Sequence, residues 1–434
     1  MQFSKRLGSR QGEPPRPETT QWTVSLRILA RFATRTSVQG NGRWRRIRPV
    51  PSMPRITPRT PAVRRGRPAT AAVLLCLSAL ALAGPLAGPA RAGVPASTAL
   101  PATFAGLTSE ETYVAPPPEQ RALLTAQRRA GVRLLRQTFP WGDVEPRPGT
   151  FNWRTTDAFV LAAARAGIEV MPILFGTPAW GDRRPPYDER HGTYPPKSNA
   201  AFSAYARAVA QRYGRGGELW RAHRDVAARP VRNYQVWNEP NLSIYWLPRV
   251  DARAYARLVA VTRTAIRLVD PGARIVLAGM PTASHLGSRL TTYLDQLYDA
   301  GARGTFDVVA VNAYATSSRT LLASLRDVRR AVDRRRDPTA GLWMTEFGWS
   351  AGGPKGTYNA GTRGQAALLS STIAAISRER RALRLQGFVY YGWTDLPPYA
   401  GRSDFWGLHT GLYWKSGEAK PAAKAYATAV AALR

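Results

Sequence analysis

Two glutamates carry the clearest chemical signal in the sequence. Glu239 stands in Val236-Trp237-Asn238-Glu239-Pro240-Asn241, and Glu346 in Trp343-Met344-Thr345-Glu346-Phe347-Gly348. Each lies where a short apolar, β-prone run gives way to loop residues. Two carboxyl groups at the ends of different strands can face each other across one cavity. If their surroundings push their pKa values apart, the protonated one donates a proton and the ionised one attacks, or stabilises developing positive charge. That pair of roles is the machinery for cleaving a glycosidic bond. A single loop glutamate is usually a solvated surface group. The two together, each beside Trp, Asn or Phe, indicate a lined pocket.

The elements that must position these glutamates follow from a pass along the chain. Strand-like runs at 103–106, 132–136, 168–175, 234–237, 274–279, 306–311, 342–345 and 386–391 alternate with helix-like stretches at 119–130, 156–166, 199–213, 251–269, 287–300, 321–333, 362–378 and 421–432. Several of the strands are apolar on both faces, as expected when helices cover them. No Gly-rich phosphate loop follows any strand, which disfavours a dinucleotide-binding fold. Eight strand–helix units with no domain left over predict an α/β fold, a (β/α)₈ TIM barrel, with a single catalytic domain over residues 103–434. Long connections at 176–199 and 392–420 fall on the face where barrel sites are built.

The motifs WNEPN (Trp237–Asn241), WMTEFGWS (Trp343–Ser350) and YYGWTD (Tyr390–Asp395) resemble those of the retaining glycoside hydrolases of clan A. This (β/α)₈ superfamily includes families 5 and 39, whose members are cellulase-like and xylosidase-like. The resemblance covers roughly residues 103–430. It implies a β-glycosidase acting by double displacement, with Glu239 as general acid/base and Glu346 as nucleophile. It also implies that Asn238 hydrogen-bonds the sugar 2-hydroxyl, and that Arg136, read as ending strand two, supports the nucleophile. Trp393 would be the sugar platform after strand eight. Tyr314, read as ending strand six, is placed to donate to Glu346 and keep it ionised. Trp180 and Trp141 are further candidate platforms, since aromatic faces suit the apolar faces of sugar rings. Tyr245, Trp246, Tyr358, Tyr399 and Trp406 also fall in loops of that face. The expected substrate is a polysaccharide or oligosaccharide. Exo rather than endo action, and a non-catalytic carbohydrate-binding barrel, are the alternatives.

Composition bounds the remaining classes. The 434 residues carry a formal charge of +34, with net +15 in residues 1–92 and net +19 thereafter. The arginines of the second part are scattered along helices, as in Arg253, Arg257, Arg263 and Arg267. They form no compact basic and aromatic block of a nucleic-acid reader. Residues 69–83, ATAAVLLCLSALALA, follow Arg64, Arg65 and Arg67 and lead to Ala90-Arg91-Ala92. This layout predicts a secretory signal peptide over 53–92, cleaved before Gly93, with no stable membrane insertion afterwards. Residues 93–102 would be a linker. The expected location is extracellular or associated with the cell envelope. Residues 1–52 are a basic, low-complexity segment, and Met53 is an alternative start. The sole cysteine, Cys76, lies in the apolar run, so the catalytic domain has no disulfide or thiolate chemistry. His191, His223, His285 and His409 show no ligand spacing, and no metal or organic cofactor is expected.

Overall fold

The computed structural model describes residues 100–185, 194–283, 286–398 and 404–433. The leader, the first seven residues of the linker, His191, His285 and Tyr399 lie outside the described residues.

The strands are β1 (Ala105–Thr108), β2 (Leu134–Pro140), β3 (Glu169–Phe175), β4 (Asn233–Val236), β5 (Arg274–Val276), β6 (Met280–Pro281), β7 (Val308–Asn312), β8 (Gly341–Glu346) and β9 (Leu385–Tyr391). They pair in the order β5-β4-β3-β2-β1-β9-β8-β7-β6. Every pairing is parallel. A contact between β5 and β7, Val276 opposite Val308, closes the sheet into a barrel. β5 and β6 are two pieces of one stave, so the barrel has the eight staves that the sequence predicts. One of eight longer helices follows each stave: Pro117–Arg129, Arg154–Arg165, Asn199–Tyr213, Ala252–Arg267, Leu290–Asp299, Ser318–Arg334, Gly361–Leu383 and Pro421–Ala431.

Local chemistry explains these helices. Ser317 opens Ser318–Arg334 with a capping box shared with Thr320, and the Asp251 carboxylate accepts from the Ala254 N–H at 2.8 Å to start Ala252–Arg267. In Ser318–Arg334, Leu321, Leu322, Leu325, Val328 and Val332 recur at helical spacing and are buried, while Arg319, Arg326, Arg330 and Arg334 face solvent. The arginines scattered through the sequence are thus, on this helix, the solvated side of an amphipathic element.

Strand alternation sorts side chains between two cores. Leu134, Met171, Val276, Val308, Ala310, Trp343 and Val389 form a small buried cluster inside the barrel. A larger one fills the layer between strands and helices. A Cβ on Gly387 would stand 2.9 Å from the Trp343 indole nitrogen, so β9 needs glycine where that ring crosses the barrel interior.

Two strand boundaries differ from the sequence reading and bear on the site. β1 begins and ends two residues later, which brings Glu110 close to the strand exit. β2 continues through Gln137-Thr138-Phe139 to Pro140, each residue in parallel register with β3. Arg136 is therefore in mid-strand rather than at the end, inside the barrel wall.

Candidate active site

β4 leaves the barrel through a strained turn. Trp237 and Glu239 both have left-handed backbone, φ 69° and 46°, which non-glycine residues rarely adopt and which concentrates at functional sites. Three hydrogen bonds hold the turn. The Trp237 N–H donates to the Leu174 carbonyl at 2.9 Å, the Glu239 N–H to Gly279 at 3.0 Å, and the Trp237 indole N–H to Tyr245 at 2.8 Å. The buried Trp237 ring packs edge-on against Phe175 at 4.9 Å. The aromatic neighbours of the motif thus fix the backbone that presents Asn238 and Glu239.

Glu346 reaches the same cavity through an irregularity in β8. Val311 pairs with Met344, yet Asn312 pairs with Glu346, so Thr345 is an extra residue on this strand. Strict alternation from inward-facing Trp343 would turn Glu346 outward. The extra residue re-aims it, as bulges beside sites do.

Arg136 ties the two motifs together. Its Nε donates to Gln235 Oε1 at 2.8 Å, one terminal nitrogen to Glu346 Oε1 at 2.8 Å, and the other to Asn238 Oδ1 at 3.0 Å. The guanidinium is almost fully buried. Gly279, between the two pieces of the fifth stave, makes this approach fit: a Cβ there would lie 2.5 Å from Asn312 Oδ1 and 3.0 Å from the guanidinium. The Tyr314 hydroxyl donates to Glu346 Oε2 at 3.0 Å. Both oxygens of Glu346 are thus held by donors, one of them cationic.

Glu239 has a different environment. The Asn312 amide donates to its Oε1 at 2.7 Å, and it has no direct ion pair among the described residues. Burial, and next the nearby Glu346 charge, push its carboxyl up to about 8, against the Asn312 hydrogen bond and Arg136. The cavity that the two glutamates share is also lined by Asn238, Thr138, Phe175, Tyr245, Tyr391 and Glu110.

The structure brings together Glu239, Glu346, Asn238, Arg136 and Tyr314. Tyr314 lies two residues beyond the end of β7 rather than ending it, and Arg136 reaches the site from mid-strand. The tryptophans are placed otherwise than expected. Trp141 is wholly buried, stacked on Tyr205 at 5.7 Å, with its N–H on Glu145 at 2.6 Å. No face of it is open to a sugar, because it starts a short helix that turns the ring into the aromatic layer. Trp393 is also buried, against Tyr413 at 4.6 Å, since its carbonyl accepts from the Tyr413 N–H and draws the segment inward. Trp180 is half-buried, edge-on to Trp141 at 5.2 Å. Among the described residues none of the three lines the cavity. Trp406 is half-buried and stands 4.9 Å from Tyr314. Asn312, Gln235, Tyr391 and Glu110 are site residues that sequence reasoning missed. Asn312 had a signal, a polar residue closing the apolar run of β7.

Replacing Arg136 with Met is expected to destabilise the fold by about 3–5 kcal/mol, because it leaves the Glu346 carboxylate buried without its cation. The denaturant midpoint measures this. The double variant Arg136→Met/Glu346→Leu should lose less than the two single variants together, since no buried charge is then orphaned.

The closed parallel barrel thus presents two glutamates, Glu239 and Glu346, to one cavity in unequal surroundings. Residues 208–393 match the family model of the glycosyl hydrolase catalytic core, and the barrel is similar in architecture to solved structures from glycoside hydrolase families 39 and 5. It is similar in fold to a monomeric β-xylosidase from Caulobacter crescentus CB15, with 20% identity over 75% of this chain and 67% of that one and a TM-score of 0.57. A family 39 glycoside hydrolase from Bacteroides cellulosilyticus WH2 matches at 19% identity, 77% and 64% coverage and a TM-score of 0.57. An exo-β-1,4-mannosidase from an Opitutaceae bacterium matches at 19% identity, 76% and 59% coverage and a TM-score of 0.53. The chain spans about two thirds of the length of the first two of these proteins. No curated protein matches it in sequence.

Proposed function

We propose that the protein is a retaining O-glycosidase that hydrolyses a β-glycosidic bond in an oligosaccharide or polysaccharide. Glu346 is the nucleophile and Glu239 the general acid/base. The observation that carries this reading is the unequal environment of the two carboxyls. Glu346 accepts from the Arg136 cation and from Tyr314, while Glu239 is buried with an amide partner and holds its proton to about 8.

The reaction has two displacements. Glu346 attacks the anomeric carbon while Glu239 protonates the departing oxygen. Water then cleaves the glycosyl–enzyme ester, with Glu239 taking its proton. Asn238 accepts from Arg136 through its oxygen, which leaves its N–H₂ free for the sugar 2-hydroxyl, a contact that strengthens as charge develops on the ring. A pure sugar-binding barrel has no use for two buried carboxyls on one cavity, one with a cationic partner and one without. Action on a terminal sugar is supported by the β-xylosidase and the exo-β-1,4-mannosidase with which the fold compares. Export rests on the leader pattern over residues 53–92.

The test is the anomeric configuration of the first product. NMR during early turnover of a β-glycoside is expected to show the β-anomer before mutarotation. An initial α-product means direct displacement by water and ends the double-displacement reading.

A further inference from the structure

Glu110 is a third carboxyl on the wall of this cavity, and neither proposed displacement uses it. It starts the short helix Glu110–Val114 just past the exit of β1, on the barrel face that holds Glu239 and Glu346. Its neighbour Glu111 has a structural task. A Glu111 carboxylate oxygen accepts from the Thr394 N–H at 3.0 Å, tying the first loop to the last. Glu110 has no hydrogen-bond partner among the described residues.

Charge accounting narrows what Glu110 can meet. Among the described residues lining the cavity there are three carboxyls and one cation, Arg136. All three Arg136 nitrogens already donate, to Gln235, Glu346 and Asn238. A uronic acid carboxylate entering here would add a fourth acidic group with no cation to meet it. The hydroxyls of an uncharged sugar suit the site, because a carboxyl accepts from them and, while protonated, also donates. Burial first, then Glu111 and Glu346, push the Glu110 carboxyl up to about 8 against the pull of Arg136, so both capacities are present at neutral pH.

We infer that Glu110 is a recognition residue that hydrogen-bonds the hydroxyls of the sugar in the cavity, and that the enzyme takes a glycon without an acidic substituent. The inference rests on the glycosidase reading above.

Matched chromogenic pairs test it: 4-nitrophenyl β-D-glucoside against the β-D-glucuronide, and the β-D-galactoside against the β-D-galacturonide. The parent enzyme is expected to favour the neutral member by on the order of hundredfold in kcat/KM, the scale at which an unpaired buried charge is penalised. This ratio needs no substitution, so it stands even where variants fold poorly. On the best neutral substrate among the β-glucoside, galactoside, mannoside and xyloside, Glu110→Leu keeps the bulk and removes the polar atoms. It should lower kcat/KM by about tenfold to hundredfold. Glu110→Gln, which mimics the protonated carboxyl, should retain most of the activity at pH 6. A uronide cleaved as well as its neutral partner overturns the inference and leaves the glycosidase reading standing, as does Glu110→Leu with parental kinetics or Glu110→Gln failing as badly as Leu. A parent enzyme that cleaves no member of the panel overturns action on a terminal sugar, and the inference falls with it.

Discussion

Replacing Glu346 with alanine is expected to lower kcat on a β-glycoside by on the order of 10⁵-fold, the scale at which loss of a covalent nucleophile acts in two-step hydrolases. The first displacement then has no attacking group, since Arg136 and Tyr314 are donors and cannot replace it. The substitution also opens a space beside a guanidinium that has lost its carboxylate partner. A small anion fits that requirement. Added azide should restore part of the turnover by forming a bond to the anomeric carbon as the aglycone leaves with its electron pair. Because azide attacks from the face that Glu346 occupied, the product from a β-glycoside is the α-glycosyl azide. Parental turnover in Glu346→Ala, or a β-azide from it, would remove the nucleophile role from this residue.

Much of that argument was legible in the sequence, for a physical reason. In a parallel barrel each strand is buried on both faces and reads as an apolar run, so the residue that breaks the run marks the functional face. Glu346 breaks such a run directly, and Glu239 stands three residues beyond the end of β4. What periodicity could not supply is how side chains turn. The extra residue at Thr345, which swings Glu346 inward, has no signature in the composition of β8. Arg136 was recognisable as a site residue but not as the hub of three hydrogen bonds from mid-strand, because the length of β2 depends on pairing with β3.

The tryptophans fail for a related reason. Ring burial is settled by tertiary neighbours, and Trp141 and Trp393 go to Tyr205 and Tyr413 rather than to the cavity. Glu110 was hidden by a two-residue shift of β1, which left it as an ordinary acidic residue in the connection between the first strand and the helix at 119–130. The recognisable motifs thus located the two opposed glutamates. The side chains that shape the cavity around the sugar required the fold.

Replacing Glu239 with alanine is expected to affect the two displacements differently, and the leaving group reveals how. Departure of a sugar or a simple alcohol needs a proton, so kcat/KM should drop by about 10²–10⁴-fold, the range for loss of a general acid. A 2,4-dinitrophenyl glycoside needs no proton to depart and should form the glycosyl–enzyme at close to the parental rate. Its ester with Glu346 then accumulates, visible as a burst, because no base activates water. Azide relieves this second step and reacts with the ester from the opposite face, giving the β-glycosyl azide, the reverse of the Glu346→Ala outcome.

The pH profile gives a second reading of the same residue. Glu239 must be protonated to act as the acid, and burial together with Glu346 holds its proton to about 8. In the parent, kcat/KM for an alkyl glycoside should therefore be sustained through neutral pH and fall as pH rises through about 8, as the acid form is lost. Glu110, held in the same range, titrates alongside it, so the limb alone does not identify the residue. The dinitrophenyl substrate separates them. In the parent its kcat/KM lacks the limb if Glu239 sets the limb as the acid, and shows it if Glu110 controls binding. A limb that survives unchanged on every substrate in Glu239→Ala would assign the acid to another group, and the unequal environments of the two glutamates would then describe buried charge rather than catalysis.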